Sequence, residues 1–257
     1  MSRHVVVTGA ASGIGAAVVA ELRAAGDRVI GLDVNDALAA DSTIRCDLSD
    51  PASIDAATAQ LDAVDVLINV AGVPGTFPDD MVWAVNFLGL RHLTDALLPR
   101  ISHGGAVVNV ASIAGMELMP RAASLKDLLV DATGFTDGAA WAAAHAPTDV
   151  AAYNASKTAV ILYTSLVASR EWSRGVRVNA VSPGPVETPI LPDFVTSMGS
   201  EMIEGARAVA GRHATVDDIA PAVTFLASPQ SRWINGQNLI ADGGLIALAT
   251  VMTAVLA

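Results

Sequence analysis

The sequence is short of cysteine and of charged residues, and each shortage excludes a class of protein. Cys46 is the only cysteine among 257 residues, so no internal disulfide can form. We interpret it as a small buried hydrophobic residue, and a lone thiol is typical of a protein of the reducing cytoplasm. The five histidines are scattered without ligand-like spacing, so no metal site is expected.

Positive charge is also scarce. The sequence has 15 Lys and Arg against 26 Asp and Glu, a formal net charge of -11, and no Lys/Arg cluster. Neither a nucleic acid nor an anionic membrane is therefore expected as a partner. The first residues lack the segments of a signal peptide. The apolar tail at residues 245–257 is too short to span a bilayer, and we expect it to be buried against the body of the protein or a partner subunit.

Hydrophobic residues make up 52% of the chain while charged residues reach only 16%, a balance typical of a parallel sheet with helices on both faces and further surface buried in an oligomer. Apolar runs alternate with helical patterns, which predicts a single α/β domain over residues 1–257 with a doubly wound, seven-stranded parallel sheet. The predicted strands lie at residues 5–7, 28–32, 42–46, 64–72, 106–112, 176–182 and 237–240, and the clearest helices span 81–98, 153–172 and 216–227.

A glycine-rich turn joins the first strand to the first helix. Its sequence is Thr8-Gly9-Ala10-Ala11-Ser12-Gly13-Ile14-Gly15, in which the glycines let the backbone approach a pyrophosphate and the helix amides supply positive partial charge. Asp33 follows Gly15 by 18 positions, where a carboxylate would meet the adenosine ribose. A 2′-phosphate there would face like charge, with no basic residue at positions 10–12 to offset it. The pattern therefore predicts NAD rather than NADP.

Tyr153 and Lys157 lie four residues apart at the start of a run rich in Ala, Leu, Val and Ile. Neither Pro nor Gly interrupts this run before Gly175, so we expect a long helix with both side chains on one face. A fixed cation near a phenol favours the phenolate, the form that acts as a base. Because such pairs also occur by chance in helices, the functional interpretation depends on the other motifs.

Two further polar residues are candidates for a site. Asn86 lies between Val85 and Phe87 in an apolar helix, so its buried amide is predicted to be either structural or part of a polar relay. Ser112 ends the fifth strand, at the edge where such sheets bind ligands, although serine at a strand end is often only turn chemistry.

In chain order these motifs resemble those of the short-chain dehydrogenase/reductase family, over nearly the whole sequence. The family usually has Asn where this chain has Val70, a departure that removes one hydrogen-bonding option and leaves the catalytic group intact. The resemblance implies a Rossmann fold and an NAD-dependent oxidoreductase without a metal. The matching segments are Thr8 to Gly15, Asp47, Asn69-Val70-Ala71-Gly72, Asn86, Ser112, Tyr153 with Lys157, and Pro183-Gly184.

The resemblance also implies a role for each residue. Tyr153 would be the general acid/base, and Lys157 would lower its pKa and hold the nicotinamide ribose. Ser112 would hydrogen-bond the substrate oxygen, and Asn86 would anchor a water that links Lys157 to solvent. Thr188 and the backbone of Val186 would hold the carboxamide. The implied cofactor-binding residues are Gly9, Ser12, Gly13, Ile14, Gly15, Asp33, Asp47, Leu48, Asn69, Ala71, Gly72, Tyr153, Lys157, Pro183, Gly184, Val186 and Thr188.

Two spacings narrow the resemblance. Tyr153 follows Ser112 by 41 positions, a longer interval than in most of the family, while the interval from Gly72 to Asn86 is unusually short. Both intervals resemble those of bacterial 3α-hydroxysteroid dehydrogenase/carbonyl reductases and of coniferyl-alcohol dehydrogenases. They imply a secondary, benzylic or allylic alcohol, or its carbonyl compound, on a bulky apolar molecule. A catalytically weak NAD(H)-sensing protein and a primary alcohol dehydrogenase of the coniferyl type remain as alternatives.

The long interval before Tyr153 predicts a mostly helical insertion at residues 116–150. Ser124 is placed to cap one helix, Gly134 to end it and Asp137 to begin another through Trp141. We expect the insertion to cover the faces on which many family members pair their long helices. A homo-oligomer, dimer or tetramer, would then form through residues 216–227, the last strand and the tail. Alternatively, the insertion is only a substrate-side loop and the usual tetramer persists. Residues 190–213 are predicted to form either a mobile cover over the site or an ordinary surface helix.

Overall fold

Seven parallel strands form one sheet in the computed structural model, which describes residues 2–35, 39–132, 134–147 and 151–254. The strands are β1 His4–Thr8, β2 Arg28–Asp33, β3 Ser42–Arg45, β4 Val64–Asn69, β5 Ile101–Val110, β6 Arg177–Pro183 and β7 Asn238–Ala241. In space they follow the order β3-β2-β1-β4-β5-β6-β7, and all neighbours are parallel. The predicted doubly wound, seven-stranded fold is confirmed.

The helices also lie close to their predicted positions. Residues 216–227 are helical as predicted, and the long helix predicted at 153–172 is found at Ala152–Arg170. The α-helices are α1 Gly13–Ala24, α2 Pro51–Thr58, α3 Asp79–Trp83, α4 Leu90–Leu97, α5 Lys126–Val130, α6 Phe135–His145, α7 Ala152–Arg170, α8 Leu191–Met198, α9 Ser200–Ala210, α10 Val216–Ala227 and α11 Leu245–Ala254.

The apolar side chains divide into two clusters, one on each face of the sheet. In β1, Val6 belongs to one cluster, while Val5 and Val7 belong to the other. Helices α4 and α7 cover the first cluster, and α1 and α10 cover the second. Because both faces are buried, the central strands have apolar residues at successive positions. Cys46 lies in the first cluster, where burial raises the pKa of its thiol to about 11, as expected for an inert buried residue.

The strand order fixes the position of a ligand crevice. The chain passes from β1 outwards to β2 and β3, then returns to the other side of β1 with β4. Such a reversal opens a crevice at the carboxyl ends of the strands. The turns after β1 and β4 are in close contact there, because a Cβ on Gly9 would lie 2.8 Å from the backbone N and Cα of Ala71. Gly9 also has φ +64°, so both position and conformation favour glycine.

The helix predicted at residues 81–98 is not continuous. A π-helical segment, Ala84–Gly89, separates α3 from α4 and carries Asn86. Such segments are rare and occur frequently at functional sites. The sequence does not reveal the irregularity, because apolar residues continue on both sides of it.

We expect Gly89→Ala to destabilise the protein. A Cβ on Gly89 would lie 2.1 Å from the carbonyl oxygen of Leu48. Because this oxygen belongs to the backbone, the clash is relieved only if a whole chain segment shifts. Overpacking of this kind costs about 1–3 kcal/mol, which should lower the thermal midpoint by about 3–10 °C. The control is Gly205→Ala in α9, where a Cβ would meet nothing within 4 Å. Equal midpoints for the two variants in calorimetry would contradict the expected clash.

The insertion is helical and packs on neighbouring helices of the same chain. Its described residues include a 3₁₀ segment at Met119–Leu125, α5 and α6, which confirms a mostly helical insertion. Trp141 of α6 contacts Trp83 of α3 edge to face, with ring centroids 6.1 Å apart. The buried Arg91 of α4 donates hydrogen bonds to the carbonyls of Leu128 and Ala132, each 2.7 Å long. The insertion therefore covers α3 and α4.

Two details of the predicted insertion are wrong. Ser124 lies inside the 3₁₀ segment rather than at a helix cap, and α5 begins at Lys126 without a side-chain cap. Gly134 occupies the cap position before α6, which begins at Phe135 rather than near Asp137. The 3₁₀ turn takes up residues that the apolar spacing had assigned to a longer α-helix. Residues 133 and 148–150, which the prediction includes, lie outside the described residues.

The tail forms a helix that is not buried against the rest of the chain. None of the residues of α11 is buried, and Leu248, Val251 and Met252 are 43%, 46% and 53% exposed. Of the two surfaces expected to bury the tail, the body of the same chain does not bury residues 245–254, so burial against a partner subunit stays a prediction. Residues 255–257 lie outside the described part. Among the helices of the described ranges, none is both long and apolar enough to cross a membrane.

Candidate active site

Tyr153 and Lys157 lie in the first two turns of α7, against the carboxyl end of β5. Both side chains are nearly inaccessible, with 7% and 4% of each residue exposed. The Lys157 Nζ atom lies 5.8 Å from the centre of the Tyr153 ring and donates a 3.0 Å hydrogen bond to the carbonyl oxygen of Val110. The two side chains therefore share one face of the helix, as their spacing predicts.

Ser112 completes this group from the turn after β5. Its hydroxyl accepts a 3.2 Å hydrogen bond from the Ala114 amide at the start of a short 3₁₀ helix, and it forms a second hydrogen bond with the Tyr153 side chain. Thr158 Oγ1 donates to the Gly115 carbonyl at 2.7 Å, which fixes this turn to α7. The serine thus shows both the turn chemistry common at strand ends and a direct contact with the phenol.

Burial sets the proton affinities of the pair. Removal from water raises the pKa of Tyr153 to about 12, and the hydrogen bond with Ser112 opposes this shift. Burial lowers the pKa of Lys157 to about 8, because the ammonium loses its hydration. Burial therefore outweighs the one opposing contribution, the Ser112 hydrogen bond, and the lowering of the phenol pKa by Lys157 that the resemblance implies stays a prediction. For a coupled pair, the pKa of the first proton lost is no higher than the lower of the two individual pKa values, which here is that of Lys157.

Asn86 lies on the other side of Lys157, beside the turn after β4. Its amide is fully buried: Oδ1 accepts from the Val73 amide at 2.8 Å, and Nδ2 donates to the Val73 carbonyl at 3.0 Å. A Cβ on Gly72 would lie 3.1 Å from Asn86 Oδ1 and 3.4 Å from Lys157 Nζ, so glycine leaves room for the ammonium. Asn86 therefore has a structural role and lies next to the site, while the implied water relay stays a prediction.

The glycine turn leaves an open surface at the start of α1. Gly13 has φ +52°, and a Cβ on Gly15 would lie 2.0 Å from the carbonyl oxygen of Gly9, so a side chain is excluded at both positions. Ser12 occupies the cap position of α1, but its side chain forms no capping hydrogen bond. A helix start with accessible amides and no bulky side chains fits a dinucleotide pyrophosphate.

Asp33 ends β2 directly beside this turn. Its Oδ2 accepts a 3.0 Å hydrogen bond from the Ala11 amide, while Oδ1 accepts from the amide and the side chain of Asn35. The carboxylate is therefore held where an adenosine ribose is expected. Arg45 pairs in register with Asp33, and its guanidinium donates to the Val34 carbonyl. Arg45 lies outside positions 10–12, so this cation on the neighbouring strand is found only in the structure.

Two of the implied cofactor residues use their side chains elsewhere. Asn69 is buried and donates to Thr94 Oγ1 and Asn109 Oδ1, at 2.9 and 2.8 Å. The Asp47 carboxylate accepts from the amide and the hydroxyl of Ser49, at 2.8 and 2.7 Å. The Asn69 Nδ2 atom is therefore engaged within the protein, while its Oδ1 atom is buried without a partner among the described residues. Both bonds to Asp47 use Oδ1, so the internal turn leaves Oδ2 of this carboxylate for another contact.

The loop after β6 approaches the glycine turn. Gly184 donates a 3.1 Å hydrogen bond to the Ala241 carbonyl, and Val186 forms an isolated bridge with Ala214. A Cβ on Gly13 would lie 3.4 Å from Thr188 Cγ2, so Thr188 faces the start of α1. The loops after β1, β4, β5 and β6 thus meet along one crevice at the carboxyl edge of the sheet.

An aromatic contact at this crevice was not predicted. Phe194 in α8 packs on Tyr153 with ring centroids 5.1 Å apart and an interplanar angle of 66°. Helices α8 and α9 form the segment predicted as a cover at residues 190–213. No pattern in the sequence distinguishes Phe194 from its apolar neighbours, because the contact depends on how α8 lies over the sheet.

Comparisons with known proteins match this arrangement. A family model described as short chain dehydrogenase matches residues 3–124, and one described as Enoyl-(Acyl carrier protein) reductase matches residues 138–246. The coniferyl-alcohol dehydrogenase of Pseudomonas sp. strain HR199 is 42% identical, over 95% of this chain and 96% of that protein. The 3-alpha-hydroxysteroid dehydrogenase/carbonyl reductase of Comamonas testosteroni is 30% identical, over 95% of this chain and 96% of that protein.

Solved structures give the same result. The crystal structure of the 3-alpha-hydroxysteroid dehydrogenase from Pseudomonas sp. B-0831 complexed with NADH has a TM-score of 0.79 and 34% identity, and the similarity covers 96% of this chain and 98% of that chain. The similarities in sequence and in fold both extend over nearly the full chain, including the Ser112, Tyr153 and Lys157 segments. The chain therefore belongs to the short-chain dehydrogenase/reductase family of oxidoreductases.

Proposed function

We propose that the chain is an NAD-dependent alcohol dehydrogenase, built as one domain over residues 1–257, that interconverts a bulky, largely apolar alcohol and its carbonyl compound. The observation that carries the proposal is the buried group of Ser112, Tyr153 and Lys157, with Asn86 beside it. A phenol that is hydrogen-bonded to a serine and close to an ammonium is equipped to exchange a proton with a substrate oxygen.

Proton transfer is the part of the reaction that these side chains perform. In oxidation, the Tyr153 phenolate takes the hydroxyl proton of the alcohol, and in reduction the phenol returns a proton to the carbonyl oxygen. Ser112 fixes the same oxygen by a hydrogen bond, and Lys157 balances the charge of the phenolate inside the buried site. When bound, the nicotinamide cofactor accepts the hydride of the carbinol carbon, or supplies it in the reverse direction.

The cofactor would lie along the crevice. The glycine turn would hold the pyrophosphate, Asp33 the adenosine ribose, and Lys157 the nicotinamide ribose, with Val186 and Thr188 at the carboxamide. The position of Asp33 beside the turn supports NAD, and a relative of known structure carries NADH. We also propose a cytoplasmic homo-oligomer, a location that the single buried thiol of Cys46 supports.

The relatives support a substrate class. The name of the 42% identical relative favours an aromatic allylic alcohol of the coniferyl kind, while that of the 30% identical relative favours a secondary alcohol on a steroid. A screen of cinnamyl, simple aryl and 3α-hydroxysteroid alcohols, followed by NADH absorbance, tests the function and separates the two classes. Turnover of none of them would reject the proposed reaction.

We expect Asp33→Ala to lose the preference for NAD. The wild type should use NAD far better than NADP, because a 2′-phosphate beside the carboxylate would meet like charge at a cost of several kcal/mol. Removing the carboxylate should reduce the ratio of kcat/KM for the two cofactors by about 100-fold, and Arg45, the register partner of Asp33 on the neighbouring strand, leaves a positive charge in this region. Comparison of Asp33→Ala with the double variant Asp33→Ala/Arg45→Ala separates the effect of the lost carboxylate from that of the guanidinium. A wild type that prefers NADP, or an unchanged preference in Asp33→Ala, would overturn this assignment.

A further inference from the structure

We infer that Phe194 is a specificity-determining residue, which selects alcohols with an aromatic ring close to the reacting carbon. This inference rests on the proposed function, since it places a substrate next to Tyr153. The observation is the aromatic contact between the two rings, with centroids 5.1 Å apart, made by a helix outside the sheet.

The position of the reacting carbon follows from the chemistry of Tyr153. Its hydroxyl must come within hydrogen-bonding distance of the substrate oxygen, so the carbon that bears this oxygen lies only one bond further away. A group attached to that carbon through a short linker reaches the surroundings of the Tyr153 ring, and Phe194 is the aromatic neighbour there. The substituent of the alcohol would therefore meet the Phe194 ring.

The helix that carries Phe194 is loosely attached, so it can move aside for a substrate. None of the residues of α8 is buried, and Phe194 itself is only half-buried. The helix meets the loop after β4 at two places: Thr76 Oγ1 lies 3.4 Å from an Asp193 carboxylate oxygen, and a Cβ on Gly75 would lie 3.4 Å from Ser197 Cβ. Few buried contacts mean a small free energy of local opening.

The aromatic ring of Phe194 should interact with a substrate differently from an aliphatic side chain of similar size. Aromatic pairs at centroid distances of about 4.5–7 Å are more favourable than their buried area alone explains, because ring edges and faces carry opposite partial charge. An aryl alcohol should gain this aromatic interaction with Phe194. A saturated ring of similar size should gain only the free energy that comes from burying its apolar area. Because the phenyl ring of cinnamyl alcohol is also conjugated with its alkene, the two alcohols differ in intrinsic reactivity. The change in their kcat/KM ratio from wild type to variant therefore isolates the contribution of the Phe194 ring.

The test compares cinnamyl alcohol with its cyclohexyl analogue. In the wild type, kcat/KM should favour the aryl substrate. In Phe194→Leu, which keeps apolar bulk, and in Phe194→Ala, this selectivity should fall by about threefold to tenfold. The matched control is Thr196→Ala, an exposed position in the same helix, which should keep the wild-type ratio. A leucine variant with unchanged selectivity would overturn the inference.

A binding measurement separates this inference from the proposed function. In a Tyr153→Phe background with NAD present, calorimetric titration of both alcohols gives dissociation constants without turnover. Phe194→Leu in this background should weaken binding of cinnamyl alcohol more than that of its cyclohexyl analogue; equal weakening would reject the aromatic role. A wild type that oxidises both alcohols equally well would overturn the role of Phe194 and leave the dehydrogenase intact. If no alcohol is oxidised, the proposed function fails, and the titration still decides the role of Phe194.

Discussion

Replacement of Tyr153 by phenylalanine should abolish nearly all alcohol oxidation while NADH still binds. The variant keeps the ring that packs on Phe194 and loses only the hydroxyl that contacts Ser112. General acid–base catalysis contributes about 10²–10⁴-fold to rates, so we expect kcat to fall by roughly 10³-fold. Steady-state NADH absorbance gives kcat, and cofactor fluorescence gives NADH affinity separately.

The chain offers a matched control in Tyr163, its only other tyrosine. Tyr163 lies in the same helix, is 1% exposed and donates a 2.6 Å hydrogen bond to the Asp95 carboxylate. Tyr163→Phe should cost about 1 kcal/mol of stability through the lost hydrogen bond and leave kcat unchanged. Substantial turnover in Tyr153→Phe would show that another group moves the proton, and equal loss in both variants would point to a structural effect.

The pH dependence of oxidation tests the pairing with Lys157. The pair contains no phenolate until it has lost at least one proton, and the first loss is shared between the phenol and the ammonium, so kcat/KM for oxidation should rise with pH through this first ionisation. The lysine pKa of about 8 sets the upper limit for the first proton lost by the pair, even though the phenol pKa is raised to about 12. The midpoint should therefore lie at or below about pH 8. A midpoint above about pH 9 would contradict proton sharing between Tyr153 and Lys157.

Hydrophobic patterning was sufficient to predict the sheet and the crevice at its carboxyl edge. Buried parallel strands have apolar residues at successive positions, and glycine turns at their carboxyl ends are short-range signals. The same patterning failed where the outcome depends on contacts between distant segments. The π-helical segment around Asn86, the burial that raises the Tyr153 pKa, and the position of Arg45 beside Asp33 all arise from tertiary structure.

The insertion shows, within one segment, what hydrophobic patterning predicts and where it fails. Its apolar residues correctly indicated helices, because their spacing follows the helical repeat. The exact cap at Ser124 was wrong, since a 3₁₀ turn competes with an α-helix at little cost over a few residues. The tail shows another limit, because a strongly apolar sequence indicates burial without saying whether the same chain or a partner supplies the surface.

Removal of the tail after Gly244 should dissociate the proposed homo-oligomer. Helix α11 is almost wholly apolar and has no buried residue in the single chain, an arrangement that is unfavourable unless a partner covers it. Exposed apolar side chains on neighbouring elements, Phe225 of α10 at 38% and Leu239 of β7 at 40%, extend the same kind of surface. Light scattering of the wild type should give a multiple of the chain mass, and the truncated protein should give one chain mass.

The alternative interface is the one that the insertion covers. Trp141 and Arg91 bind the insertion to α3 and α4, so those faces are already occupied within one chain, and a partner there could contact only the outer side of the insertion. Val130 of the insertion is 46% exposed, and Val130→Ser provides the matched control. If the tail forms the contact, truncation lowers the mass while Val130→Ser leaves it unchanged. A truncated protein that keeps the wild-type mass would refute the role of the tail, and a monomeric wild type would refute association itself, because the exposed surface of α11 would then be stable in water.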